Sequence, residues 1–70
     1  MRAGEVYKHF KGNEYMIICT GLHTETNEEC VVYMDTHSKK IFIRPKEMFL
    51  SLVDKEKYPD SKQKYRFEKK

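Results

Sequence analysis

The sequence predicts a mostly β fold: a small five-stranded barrel with one short helix before the last strand. Three observations carry that expectation. Two-residue alternation, rich in β-branched and aromatic residues, runs through the first two thirds of the chain. Turn-forming residues interrupt it at short intervals. A chain of 70 residues makes one domain at most, and five short strands protect their edges most economically by curling into a barrel.

Glu5–Phe10 reads as the first strand, with Val6, Lys8 and Phe10 on one face and Tyr7 and His9 on the other. Lys11-Gly12-Asn13 follows as a tight turn, because Gly and Asn tolerate positive φ. Tyr15–Cys19 is almost wholly apolar, the pattern of a central strand covered on both faces, and Gly21 beyond it suggests a bulge or bend. His23–Glu29 is the most hydrophilic loop. Cys30–Met34 is the third strand, again apolar on both faces, and Asp35–Lys40 is a turn. Ile41–Arg44 is the fourth strand, ended by Pro45, since a residue before proline is driven to extended geometry. Pro45 suits the first position of a helical turn. Met48, Phe49, Leu52 and Val53 then recur at helical spacing, as in a short helix plugging the open end of the sheet. Tyr58–Ser61 is a turn and Tyr65-Arg66-Phe67 a last strand. The short connections and the place of the helix favour an SH3-like barrel over an OB-fold. Residues 1–70 form the single domain, and 54–70 a basic C-terminal segment that includes the last strand.

The net charge of +3 is unevenly placed. Met1–Val53 holds seven basic and seven acidic residues, whereas Asp54–Lys70 holds seven basic and four acidic. Basicity therefore belongs to the tail, where Lys62, Lys64, Lys69 and Lys70 are expected to solvate a strand and a frayed end. No apolar run is long enough to cross a bilayer, and no stretch resembles a signal peptide. The chain reads as cytoplasmic.

Cys19 and Cys30 belong to no CxxC pair. A hairpin about Thr24–Asn27 would set them almost opposite each other, but a reducing compartment would keep them as thiols, and buried thiols act as small hydrophobes. His9, His23 and His37 are scattered and give no zinc-ligand spacing. There is no nucleophile elbow and no phosphate-cradling Gly-rich loop. The expectation is therefore no enzyme, no cofactor and no metal.

The strings YKHFKGNEY at Tyr7–Tyr15, HTETNEECVVY at His23–Tyr33 and IRPKEMF at Ile43–Phe49 together resemble the bacterial DUF1653 family, a domain of unknown function. The resemblance runs from Gly4 to about Val53, and Arg66-Phe67 echoes the family's closing strand. It implies a small, usually stand-alone SH3-like barrel with no settled activity, and it supplies no catalytic residue. The residues at matching motif positions are His9, Lys11, Gly12, Glu25, Tyr33, Arg44 and Pro45. The family often carries a tryptophan in the strand before the RP dipeptide; Phe42 occupies that region here, and the chain has no Trp.

Arg44 ends an otherwise apolar strand and should project near the barrel rim, where its planar fork suits a carboxylate or phosphate. The competing reading is an ion pair with Glu25, Glu28 or Glu29 of the opposite loop. Tyr7, His9, Tyr15, Tyr33 and Phe42 could place several rings on one side, a platform of the kind that takes peptides or single strands. Core packing competes for the same rings and is the better reading for Phe10, Tyr15, Phe49 and Phe67. His9 and Glu25 invite an acid–base pairing that nothing in the sequence brings together. The candidate site is thus Tyr7, His9, Lys11, Glu25, Tyr33, Phe42 and Arg44. The expected function is a binding module for a protein or peptide partner. The alternative is binding of single-stranded nucleic acid or RNA, aided by the basic tail. No membrane role is expected, and a homodimer through an exposed strand edge at Ile41–Arg44 or Tyr65–Phe67 stays open.

Overall fold

The computed structural model describes all 70 residues. Strands β1 (Val6–His9), β2 (Glu14–Leu22), β3 (Glu29–Asp35), β4 (Ile41–Pro45) and β5 (Phe67–Lys69) form one antiparallel sheet in the order β4-β3-β2-β1-β5. A single helical turn, α1 (Lys46–Phe49), precedes the long return to β5. The mostly β class and the place of the helix match the sequence reading. The barrel, however, is not closed: β4 and β5 lie at opposite edges of the sheet and do not pair.

Side chains bridge that gap where backbone does not. The Phe49 ring lies almost parallel to Phe67, with centroids 4.0 Å apart, and meets Tyr33 edge-on at 5.2 Å. Fully enclosed, Phe49 contributes about 2–3 kcal/mol by burial. Ile17 and Val31 complete the enclosed set, with Tyr33 and Phe67 around them and Tyr7 and Tyr15 packed against them. Beside this core, Leu52 bridges to Tyr65, the Arg66 N–H donates to Ser51 O at 2.9 Å, and the Val53 N–H donates to Lys64 O at 2.9 Å. The return segment thus runs where a closing strand pair would otherwise sit.

Local differences from the sequence reading have plain causes. The most enclosed residues of β2 and β3, Ile17, Val31 and Tyr33, pack in the core; on β2 Cys19 and Thr20 are exposed, whereas on β3 the neighbours Cys30 and Val31 are both buried. The β2 irregularity falls at Ile18, between the pairs Ile17↔Tyr33 and Cys19↔Val32, rather than at Gly21, which pairs with Cys30. Such a bulge bends its strand and deepens the curl. It also leaves Cys19 opposite Val32, so the two thiols are not cross-strand partners; Cys30 is buried and Cys19 is not. Pro45 ends β4 and caps α1 rather than entering it. The helix stops after one turn, burying Phe49 but leaving Met48 and Leu52 exposed, while Val53 is buried beyond the helix.

The last strand starts two residues later than expected, and its end is not frayed. Lys69 Nζ pairs with Glu5 Oε2 at 2.7 Å, Lys70 pairs with Glu14, and the Lys70 N–H donates to Val6 O at 2.9 Å. The ion pairs carry small energetic weight, and the β1–β5 register lays His9 opposite Phe67. No helix is long and apolar enough to cross a membrane.

Candidate functional site

The aromatic residues divide into a core and a rim. Tyr33 is only 4 % exposed and meets Phe49, Phe67, Tyr15 and Phe42 at centroid distances of 5.2–5.7 Å. Tyr7 meets Phe49 edge-on at 5.4 Å. Tyr7 and Tyr33 therefore build the core rather than an outward platform, because a chain this small spends its inward rings on enclosure. Phe42 is 40 % exposed and stacks on Tyr33 at the rim. Phe10, read as core, is only half-buried and packs on Tyr58 at 4.9 Å.

His9, Lys11 and Arg44 do come together. They share a cleft of about 260 Å³ with Phe10, Asp54, Lys57, Tyr58 and Arg66. Three separate segments deliver the charge. The β1–β2 turn brings Lys11: Gly12 takes φ +107°, its N–H donates to His9 O, and the His9 N–H donates to Asn13 O, each at 2.8 Å. A side chain at Gly12 would strain that backbone. Strand β4 brings Arg44, whose Nε donates to Tyr33 Oη at 3.3 Å and whose guanidinium lies 5.7 Å from the centre of the Phe67 ring. The return segment brings Lys57 and Arg66, and the Phe10 N–H donates to Arg66 O at 2.9 Å.

Four permanent cations (Lys11, Arg44, Lys57 and Arg66) thus face one carboxylate, Asp54. Asp54 is already engaged by the N–H groups of Glu56 and Lys57 at 3.0 and 3.4 Å. The three ion pairs of the molecule use other cations, Lys46, Lys69 and Lys70. The Nε of Arg66 is buried without a hydrogen-bond partner. A buried donor left unmet costs free energy and is rare in folded proteins.

His9 belongs to the same electrostatic unit. Burial, followed by the nearby charges of Arg44, Lys11 and Arg66, holds its pKa below the ordinary histidine value of 6.5. Its Nδ1 accepts the Lys11 N–H at 3.1 Å, so the neutral ring carries its proton on Nε2. The cleft therefore presents donors almost exclusively, which suits an oxyanion.

The remaining candidate, Glu25, lies elsewhere. It sits at the tip of the β2–β3 hairpin, where the His23 N–H donates to Glu28 O at 2.8 Å and Asn27 takes φ +59°. It does not join His9, and Arg44 pairs with none of Glu25, Glu28 and Glu29; Glu29 pairs instead with Lys46 at 2.9 Å. The largest cavity, about 500 Å³, opens between this hairpin and α1. Three carboxylates and one lysine line it, and it holds no buried polar group without a partner. The smaller cationic cleft carries the distinctive chemistry.

Sequence reasoning does not place Lys57, Tyr58 or Arg66 in the site: basicity reads as a property of the C-terminal segment as a whole, Tyr58 as part of a turn and Arg66 as part of the last strand.

No curated protein and no solved structure matches the chain. A family model described as "Protein of unknown function (DUF1653)" matches residues 5–69, spanning every segment that builds the cleft. The chain belongs to the DUF1653 family.

Proposed function

We propose that this protein is a non-enzymatic binding module whose cationic cleft receives an oxyanion, a phosphate or carboxylate, borne by a cytoplasmic partner. The observation that carries the reading is the set of Lys11, Arg44, Lys57 and Arg66, none of them ion-paired, lining one cleft with a single carboxylate. Cations left unpaired side by side repel one another, and an anion between them relieves that repulsion. Two guanidinium groups also offer the planar donor forks that carboxylates and phosphates accept bidentately. Neutral His9 adds a donor without adding charge. Recognition thereby moves from a ring platform to a charged recess supported by the rings.

Calorimetric titration with pyrophosphate at low ionic strength tests the reading. Binding should weaken by at least tenfold in the Arg44→Gln/Arg66→Gln double variant and should fall as salt is raised. Binding of equal strength in that variant, with its fold retained, contradicts the proposal.

A further inference from the structure

A second recess adjoins the cationic cleft, and its chemistry is different. It measures about 320 Å³ and is walled by Phe10, Tyr58 and Pro59, with Lys11, Lys57, Asp60 and Ser61 also lining it. The two recesses share Phe10, Lys11, Lys57 and Tyr58. Lys11 Nζ lies 5.8 Å from the Phe10 ring centre and 5.2 Å from that of Tyr58, and Lys57 Nζ lies 5.7 Å from Tyr58. Ammonium groups therefore stand at the seam between an aromatic wall and a cationic well. We infer that the ligand is a single-stranded nucleic acid, its phosphate held among Arg44, Arg66 and Lys11 and an adjoining base laid against Phe10 and Tyr58. The inference rests on the oxyanion reading above.

The aromatic wall is built to stay in place. The Tyr58 N–H donates to Asp54 O at 2.8 Å, and the Ser61 N–H donates to Tyr58 O at 3.2 Å. Lys55 Nζ donates to Ser61 O at 2.6 Å and to Gln63 O at 3.1 Å, drawing the loop closed from the other side. Gln63 Nε2 then donates to Lys8 O at 3.1 Å, tying the loop to β1. A ring fixed in this way loses little freedom when a base packs on it.

The pairing of features selects the ligand class. Inorganic phosphate or a carboxylate metabolite would leave the aromatic wall unused. A duplex keeps its bases stacked inside the helix, whereas an unpaired base is free to lie on a ring. The cluster is too small to grip many phosphates, so affinity should be modest, with a shallow salt slope. With four cations at most, log K should fall by no more than about 3 per decade of salt, taking about 0.7 for each phosphate neutralised on a single strand.

Fluorescence anisotropy with a labelled oligouridine and with a labelled duplex of the same length tests this, alongside the pyrophosphate titration. Expected are tighter binding of the single strand than of the duplex and a loss of roughly tenfold in oligouridine affinity for Tyr58→Ala, well beyond any change in pyrophosphate affinity. Tyr58→Leu keeps apolar bulk against Phe10, so its loss of oligouridine binding separates stacking from loop collapse. Pyrophosphate binding with no preference for the single strand, or with oligouridine binding unmoved in both Tyr58 variants, overturns this inference and leaves the oxyanion reading standing. A tyrosine-phosphorylated peptide that binds where oligouridine does not overturns it likewise. Failure of both pyrophosphate and oligouridine to bind overturns the two together.

Discussion

His9 and His23 solve the same local problem in two regions with opposite fates. Each accepts backbone N–H with Nδ1: His9 from Lys11, and His23 from Glu25 and Thr26. At the hairpin tip His23 is exposed, its neighbours are acidic, and every contact closes within a few residues. In the cleft His9 is half-buried against Phe67 at 4.8 Å and Tyr15 at 6.2 Å, and its charged neighbours Arg44 and Arg66 come from far along the chain. The same turn chemistry yields a self-contained loop in one place and one wall of a composite site in the other. What separates them is the company that long-range packing brings.

The deepest way to break the comparison is to remove the support beneath the cleft. Phe49→Ala should cost roughly 3–5 kcal/mol, a large share of the stability of so small a domain. Urea unfolding measures it, and a cost below about 1 kcal/mol would mean that the stack on Phe67 is not what holds the open side of the sheet together.

The half-buried histidine should also carry a pH response. His9, with a folded-state pKa below 6.5, binds its proton more readily when unfolded. It therefore contributes stability that is present above the unfolded value and lost as pH falls through the window between the two. The urea midpoint should drop between pH 8 and pH 5, and His9→Gln should remove part of that drop. An undiminished drop in the variant would detach His9 from the charge of the cleft.

The smallest effect belongs to the hairpin tip. Glu25→Ala should shift stability by less than about 0.5 kcal/mol, since the side chain makes no hydrogen bond or ion pair. It should also leave pyrophosphate binding unchanged by calorimetry; a tenfold loss would bring the tip into the site.

These contrasts explain how much was legible in the sequence. The succession of elements along the chain, the Gly12 turn and the break at Pro45 follow from local propensities and are readable as such. His9, Lys11 and Arg44 stand out because they fall at matching positions of the family motifs, and Arg44 also because it ends an apolar strand. Arg66 and Lys57 did not, because charge was apportioned along the chain, whereas the β1–β5 pairing folds the basic tail back beside β1. Alternation places Tyr33 on a face, but not whether that face is covered; Phe49 and Phe67 decide that from 16 and 34 residues further along the chain. Nor does alternation show that the sheet stays open, which depends on the Phe49–Phe67 stack filling the gap.

The most direct test of the central claim is an NMR titration of the His9 imidazole with and without pyrophosphate. An anion among Arg44, Arg66 and Lys11 offsets the positive charges that oppose protonation of His9, so its pKa should rise on binding. An unchanged His9 would contradict an oxyanion site in the cleft.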